Sequence, residues 1–241
     1  MSTSEITTTA TVHTVGIDSL MINLFKVIHE DNVPWLLAAG ARLRSLFGEQ
    51  LIDLVPSYTT LLVHYDLLHL DNRQARALVA EALRDLTPTL SAAGRAHVLP
   101  VWYDPRVGPE LGSLARRSGL STKDVIRRHC EKPYQVFALG FTPGFAFMGL
   151  VEETLAAPRL RTPRKRVAAG SVGIAERQTA AYPSVSPGGW NLIGRTPSRL
   201  FDTTQDGFSL LRPGDSVQFS AISHSEFIHL GGDDTPLEAQ P

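Results

Sequence analysis

GSVGIAERQTAAYPSVSPGGWNLIGRTP, residues 170–197, is the stretch whose reading decides the fold. Its β-type runs are short, Ser171–Ala175 and Asn191–Ile193, and Gly170, Pro183, Pro187, Gly188 and Gly194 punctuate them. A helix needs roughly 10–12 residues of sustained periodicity, which this spacing denies. The same texture extends outward, to Gln135–Leu139 upstream and Val217–Ile222 downstream. Short strands separated by glycine and proline turns predict a barrel or a sandwich from about Tyr134 onward.

Before Tyr134 the pattern differs. A strand over His97–Tyr103 precedes two short helices, Pro109–Arg117 and one capped by Ser121 or Thr122 with Asp124 in its first turn. Further upstream, Val12–Val15 and Leu20–Phe25 form one hairpin candidate. Leu51–Val55 and Thr59–Tyr65 form a second, joined by Pro56 and Ser57. Asp31, Asn32 and Pro34 are residue types of a helix start, and Leu36, Ala39, Leu43, Leu46 and Phe47 recur at helical spacing up to Gly48. Asp71 opens the clearest helix, in which Ala75, Leu78, Val79, Ala82, Leu83 and Leu86 form one apolar stripe. The expected organisation is an α+β N-terminal domain over residues 1–94, with two hairpins and two helices. A mainly β domain over 95–230 and a disordered tail over 231–241 follow. Thr87–Gly94 reads as the linker.

Composition bounds the function. The chain has 241 residues, 43% hydrophobic and 20% charged, with 23 basic against 24 acidic side chains. That balance offers no general attraction to nucleic acid or to anionic membrane. No run approaches the ~20 apolar residues of a membrane span, and Met1–Thr14 lacks the basic start and apolar core of a secretory leader. A single cysteine, Cys130, excludes a disulfide within the chain and fits a reducing compartment. The expected location is the cytoplasm.

Candidate chemistry concentrates between Gly140 and Arg195. Gly140-Phe141-Thr142-Pro143-Gly144-Phe145 sets two glycines around a proline and two aromatics, either a ligand loop with apolar walls or a tight turn with core rings. Ser186-Pro187-Gly188-Gly189-Trp190 is a second such loop, either an anion nest beside an aromatic platform or a hairpin turn. Arg159, Arg161, Arg164, Lys165 and Arg166 crowd the segment between them and suit carboxylate or phosphate, or simply a solvated loop. Gln178, Thr179, Tyr182 and Ser186 are polar positions able to orient an amide. His129 is a candidate acid/base, with a satisfied structural histidine as the alternative. The histidines are dispersed at spacings that suit no metal, and neither a GxxxxGK[ST] loop nor a GxGxxG fingerprint is present.

Taken in order, the motifs resemble a known family. Gly140–Phe145, Thr162-Pro163-Arg164, Ala169–Ala175, Gln178-Thr179, Tyr182-Pro183 and Ser186–Pro197 together are similar to the B-type subunits of 5-oxoprolinase, a family also called allophanate hydrolase subunit 1. Gly16–Leu24 resembles its opening strands and Leu211–Asp215 its closing turn. The resemblance implies a cyclophilin-like β-barrel over 95–230. It also implies a homologous C-type partner subunit of related barrel fold, and a third subunit with which the pair opens 5-oxoproline to glutamate using ATP. ATP is implied for the assembled complex alone, since no motif of this chain indicates it. Related domains occur as carboxyltransferase units of urea carboxylase, and one family member inhibits a histidine kinase.

The expected function is therefore a subunit acting on a small lactam or amide that carries a carboxylate. An allophanate or urea-type subunit and a non-catalytic kinase inhibitor are the alternatives. Arg164 and Arg166 would hold the carboxylate or a phosphorylated intermediate, and Gln178, Thr179 and Tyr182 the amide. Phe141, Pro143, Gly144, Phe145, Ser186 and Trp190 would shape the site. Gly188 and Gly189 would meet developing negative charge, with His129 as acid/base. Departures from the family pattern fall at Glu176, Arg177 and Ala180, where small residues and a glycine are usual, at Ala168 in place of proline, and at Ala146-Phe147-Met148 in place of Pro-Tyr-Leu. They put the identity of the substrate in question.

Overall fold

The computed structural model describes residues 10–88 and 94–237. The chain divides into two compact units, Met1–Ala93 and Gly94–Pro241. Of the expected linker, residues 89–93 lie outside the described residues.

In the first unit, β1 (Thr11–Gly16), β2 (Ser19–Asn23), β3 (Leu51–Ser57) and β4 (Thr60–Tyr65) make an antiparallel sheet in the order β1-β2-β4-β3. Helices α1 (Asn32–Phe47) and α2 (Asn72–Leu83) share one apolar core with it, in which Leu20, Ile22, Leu61, Val63, Ala75, Val79 and Ala82 are fully buried. A reciprocal cap starts α2: the Asp71 carboxylate accepts from the Gln74 amide at 2.7 Å, and the Gln74 side chain accepts from the Asp71 amide at 2.8 Å.

Local chemistry was less decisive elsewhere in this unit. The Asp31 side chain makes no cap bond to α1, and Asn32 instead donates to the Val27 carbonyl at 2.8 Å. Leu46 turns outward. The second hairpin turns at Tyr58-Thr59, because Pro56 and Ser57 lie within β3 and pair with Leu61 and Thr60. As an edge strand, β3 tolerates a residue with no N–H to donate.

In the second unit, seven strands run in the order β12-β9-β10-β7-β6-β13-β5. They are β5 (Ala96–Val101), β6 (Tyr134–Leu139), β7 (Ala146–Gly149), β9 (Ser171–Ala175), β10 (Gln178–Ala181), β12 (Asn191–Arg195) and β13 (Ser216–Ala221). Trp102 and Arg195 exchange both backbone hydrogen bonds at 2.9 Å, so the last strand meets the first and the sheet nearly closes into a mainly β barrel. Strands β8 (Arg164–Val167) and β11 (Ser186–Gly188) form a separate two-stranded ribbon. Helices α3 (Leu111–Ser118) and α4 (Thr122–Glu131) pack beside the barrel, and α5 (His224–His229) follows β13.

Residues 231–237, expected to be disordered, are tied down. Arg195 Nη1 donates to the carbonyls of Asp233 and Thr235, at 2.6 and 2.9 Å. His224 meets Asp234 at 2.8 Å, and the Leu237 amide donates to the Arg106 carbonyl. The tail has little apolar surface, and a buried guanidinium holds it by its backbone instead. Residues 238–241 lie outside the described residues.

Candidate functional site on the outer face of the barrel

Strand alternation sorts the candidate residues into two environments. Met148, Val172, Ile174, Ala181 and Ile193 point into the barrel and join its interior core. Their neighbours Phe147, Ala175, Ala180, Tyr182 and Leu192 belong to a second apolar cluster with Phe145, Val167 and Trp190. The candidate pocket lies on this outer side. It has a volume of about 260 Å³ and is lined by Phe141, Phe145, Phe147, Arg159, Pro163, Tyr182, Pro187, Gly188, Gly189 and Trp190.

The rings build its walls. Phe145 stands edge-on to both Tyr182 and Trp190, with centroids 5.1 and 5.7 Å away and planes at 83° in each case. Phe141 packs edge-on to Phe145 at 5.4 Å, yet is 60% exposed and held at φ 69°. A non-glycine residue in that region carries strain of order 1–3 kcal/mol, a feature that clusters at functional sites. Gly188 lets the ribbon lie against Tyr182, since a Cβ there would overlap the phenol hydroxyl. Burial pushes the Tyr182 pKa up to about 12, and the Trp190 amide and the charges of Arg159 and Arg164 only partly oppose it. Tyr182 therefore enters any reaction at neutral pH as a hydrogen-bond donor.

Other expected residues lie elsewhere. Arg164 sits behind the pocket, 7% exposed, with Nη2 donating to Glu110 Oε1 at 2.6 Å. The second Glu110 oxygen accepts the Leu192 amide at 2.9 Å, so the pair ties β8 to β12. Arg164 lines no part of the pocket, and Arg166 is exposed on β8. Pro143 and Gly144 line a shallower groove with Phe201 and Phe208, and Phe141 forms a wall of both. The Ser186 hydroxyl is buried without a partner among the described residues. Gln178 pairs with Ala175 and Gly149 at the start of β10 and does not line the pocket.

Thr179 and His129 are inside the barrel. His129 is fully buried and stacks on Phe219 with centroids 4.5 Å apart. Thr179 donates to the Gly173 carbonyl at 3.2 Å, which leaves its oxygen to accept His129 Nε2–H at 2.9 Å. His129 Nδ1 then accepts the Tyr103 hydroxyl at 2.7 Å. Burial drives the His129 pKa down to about 3. His129, expected as an acid/base, is therefore a neutral imidazole with both nitrogens engaged inside the core, and it lines no part of the outer pocket.

The departures from the family pattern also find their places. Glu176, at φ 51°, and Arg177 form the β9–β10 turn, where Glu176 exchanges backbone bonds with Ala157 and the Arg177 carbonyl accepts the Val151 amide. Ala180 is fully buried beneath the aromatic cluster.

Sequence reasoning left Phe147, Arg159, Pro163 and Pro187 out of the site. Phe147 was accessible through its parity with Phe145. For Arg159 the only signal was membership of the arginine run. Among the described residues no group of three or more His, Cys, Asp or Glu side chains could hold a metal, and no helix is long and apolar enough to cross a membrane.

Comparison with known proteins adds a family context. The family described as carboxyltransferase domain, subdomain C and D, matches residues 10–211. A curated relative from Bacillus subtilis (strain 168), named as the B-type subunit of 5-oxoprolinase, is 34% identical over 226 residues, covering 90% of this chain and 94% of its own. The solved structure of TTHA0988 superposes with a TM-score of 0.75 at 35% identity over 93% of this chain, which spans 42% of that longer chain. Kluyveromyces lactis urea carboxylase shares the fold, with a TM-score of 0.71 at 15% identity over 94% of this chain and 23% of that one.

Proposed function

Since the chain belongs to the family of 5-oxoprolinase B-type subunits, we propose that it is one component of a cytoplasmic, ATP-dependent complex that opens a small lactam bearing a carboxylate, 5-oxoproline to glutamate. A homologous C-type subunit, and a third subunit, would complete the complex. The kinship of the barrel with cyclophilins belongs to the same proposal.

The observation that carries the reading is the outer-face pocket, where four aromatic rings and Tyr182 surround a space of about 260 Å³ beside one arginine, Arg159. Flat apolar walls suit a planar amide ring, and a guanidinium suits its carboxylate. In this scheme Arg159 replaces Arg164 and Arg166 as the carboxylate ligand. The Tyr182 hydroxyl donates to the amide carbonyl, and the Gly188–Gly189 backbone borders the oxygen that gains negative charge. Arg164, fixed by Glu110, ties the ribbon to β12. ATP enters as a substrate of the assembled complex. This chain has no phosphate loop, and no step through the nucleotide is assigned to it.

The test is co-expression with the candidate partner subunits, followed by measurement of ATP-dependent glutamate release. Arg159→Ala is expected to raise KM for 5-oxoproline roughly 10- to 100-fold, the effect of losing a charge-assisted hydrogen bond. An unchanged KM in an assembled complex would remove Arg159 from the site. A complex that forms yet releases no glutamate would move the substrate to another amide, such as allophanate.

A further inference from the structure

A second polar feature lies on the outer face, beyond the pocket. Tyr182, directly after β10, Ser171 on β9 and Arg195 on β12 occupy adjacent places: the Tyr182 amide donates to the Ser171 carbonyl at 2.9 Å, and Ser171 is the register partner of Arg195. Directly opposed residues on neighbouring strands share a face, with Cβ atoms roughly 4.5–5.5 Å apart. The row therefore leads from the pocket wall, two strands across, to Arg195.

Arg195 is 1% exposed, and Ser171 is fully buried. Nη1 of Arg195 is satisfied by the Asp233 and Thr235 carbonyls, but Nε and Nη2 have no hydrogen-bond partner among the described residues. Neither has the Ser171 hydroxyl. Nε and Nη2 form the edge of the guanidinium whose two N–H bonds run parallel, the fork that grips two oxygens of one carboxylate or phosphate. Native interiors rarely leave such donors unmet. A role limited to tying down the tail would use Nη1 alone and leave this edge unexplained.

Residues 233–237 run beside the feature and meet Arg195 at Nη1. The Asp233 carboxylate stands 4.0 Å from Nη1, His224 holds Asp234, and Leu237 packs against the outer aromatic cluster. Together they form a strap with its own acidic group beside the buried cation.

We propose that Arg195 and Ser171 form an oxyanion-binding site, taking a carboxylate or phosphate group on the Nε/Nη2 fork and the Ser171 hydroxyl, and that residues 233–237 are the strap that gates it. The inference goes beyond the lactam pocket and does not rest on it.

The test follows the Arg195 Nε–H resonance in the full-length chain during titration with inorganic phosphate and, separately, with acetate. The resonance is assigned by its loss in Arg195→Lys or, should that variant not fold, by its Overhauser contacts to Ser171. A saturable shift is expected. Its midpoint should fall at least fivefold in Asp234→Ala/Leu237→Ala, which loosens the strap, and rise at least fivefold in Ser171→Ala. Saturation by phosphate alone, or by acetate, identifies which oxyanion the site accepts. A resonance that stays still with both anions, in wild type and in the loosened variant with an otherwise native spectrum, overturns the site and leaves the segment a structural strap.

Discussion

Acidification should destabilise the barrel unit through His129. The imidazole is neutral in the folded state, with its pKa at about 3, against about 6.5 in an unfolded chain. Between those values the unfolded chain binds one more proton than the folded one. The neutral form's stability is thus complete above pH 6.5 and is lost as pH falls toward 3. Integrated from pH 7 to pH 5, the loss is about 2 kcal/mol, a large share of the 5–15 kcal/mol that holds a typical domain. The cause is geometric: Nδ1 is engaged by Tyr103, Nε2 by Thr179, and Phe219 covers the ring, so an added proton meets a donor and an apolar face. The assay is urea unfolding at pH 7, 6 and 5 in a Trp35→Phe background, where emission reports Trp102 and Trp190 of the barrel unit. His129→Gln is the control, because an amide keeps a donor and an acceptor but does not titrate. Wild type should lose about 2 kcal/mol more than the control between pH 7 and pH 5. Equal losses would refute the claim that this histidine is folded into the core uncharged.

Three further outcomes test the architecture. Glu110→Ala should cost about 3–5 kcal/mol in denaturant unfolding, because it strands the buried Arg164 guanidinium; a cost below about 1 kcal/mol would show that the cation finds another partner. Gly188→Ala should displace the Tyr182 ring and weaken ligand binding about tenfold or more, with the far-UV spectrum unchanged; calorimetric titration of the assembled complex measures it. Asp71→Ala should lower the stability of the first unit by about 1 kcal/mol through loss of the reciprocal cap, read from thermal unfolding.

Much of the element pattern was legible in the chain because it follows from local periodicity. Of the stripe Ala75, Leu78, Val79, Ala82, Leu83 and Leu86, all are buried except Leu78, which is half-buried against the same core. Ser121 caps α4, accepting the Asp124 amide at 3.1 Å, and the glycine- and proline-cut runs of the second half are barrel strands. The ordered motifs also carried the family. Local rules failed where a tertiary partner overrode them, as when Asn32 satisfied Val27 rather than a helix end and edge position admitted Pro56 to β3.

The candidate site was readable only in outline. Gly140–Phe145 and Ser186–Trp190 stood out as candidate loops from their glycines and aromatics, and residues of both line the pocket. Which polar side chains accompany them is a matter of parity and of distant pairing. Alternation along β10 and the residue after it sends Thr179 inward to His129 and Tyr182 outward to the pocket, although only two residues separate them in sequence. Glu110, 54 residues before Arg164, removes that arginine from the pocket, while Arg159 from the same run lines it. Patterns among near neighbours thus determined many of the chain's strands, its longer helices and its glycine-rich loops, but not the short strands β7, β8, β10 and β11 or the helix α5. Which arginine lines the pocket, the neutral state of His129 and the capture of residues 233–237 by Arg195 came only with tertiary structure, because burial and long-range pairing set which charges face solvent.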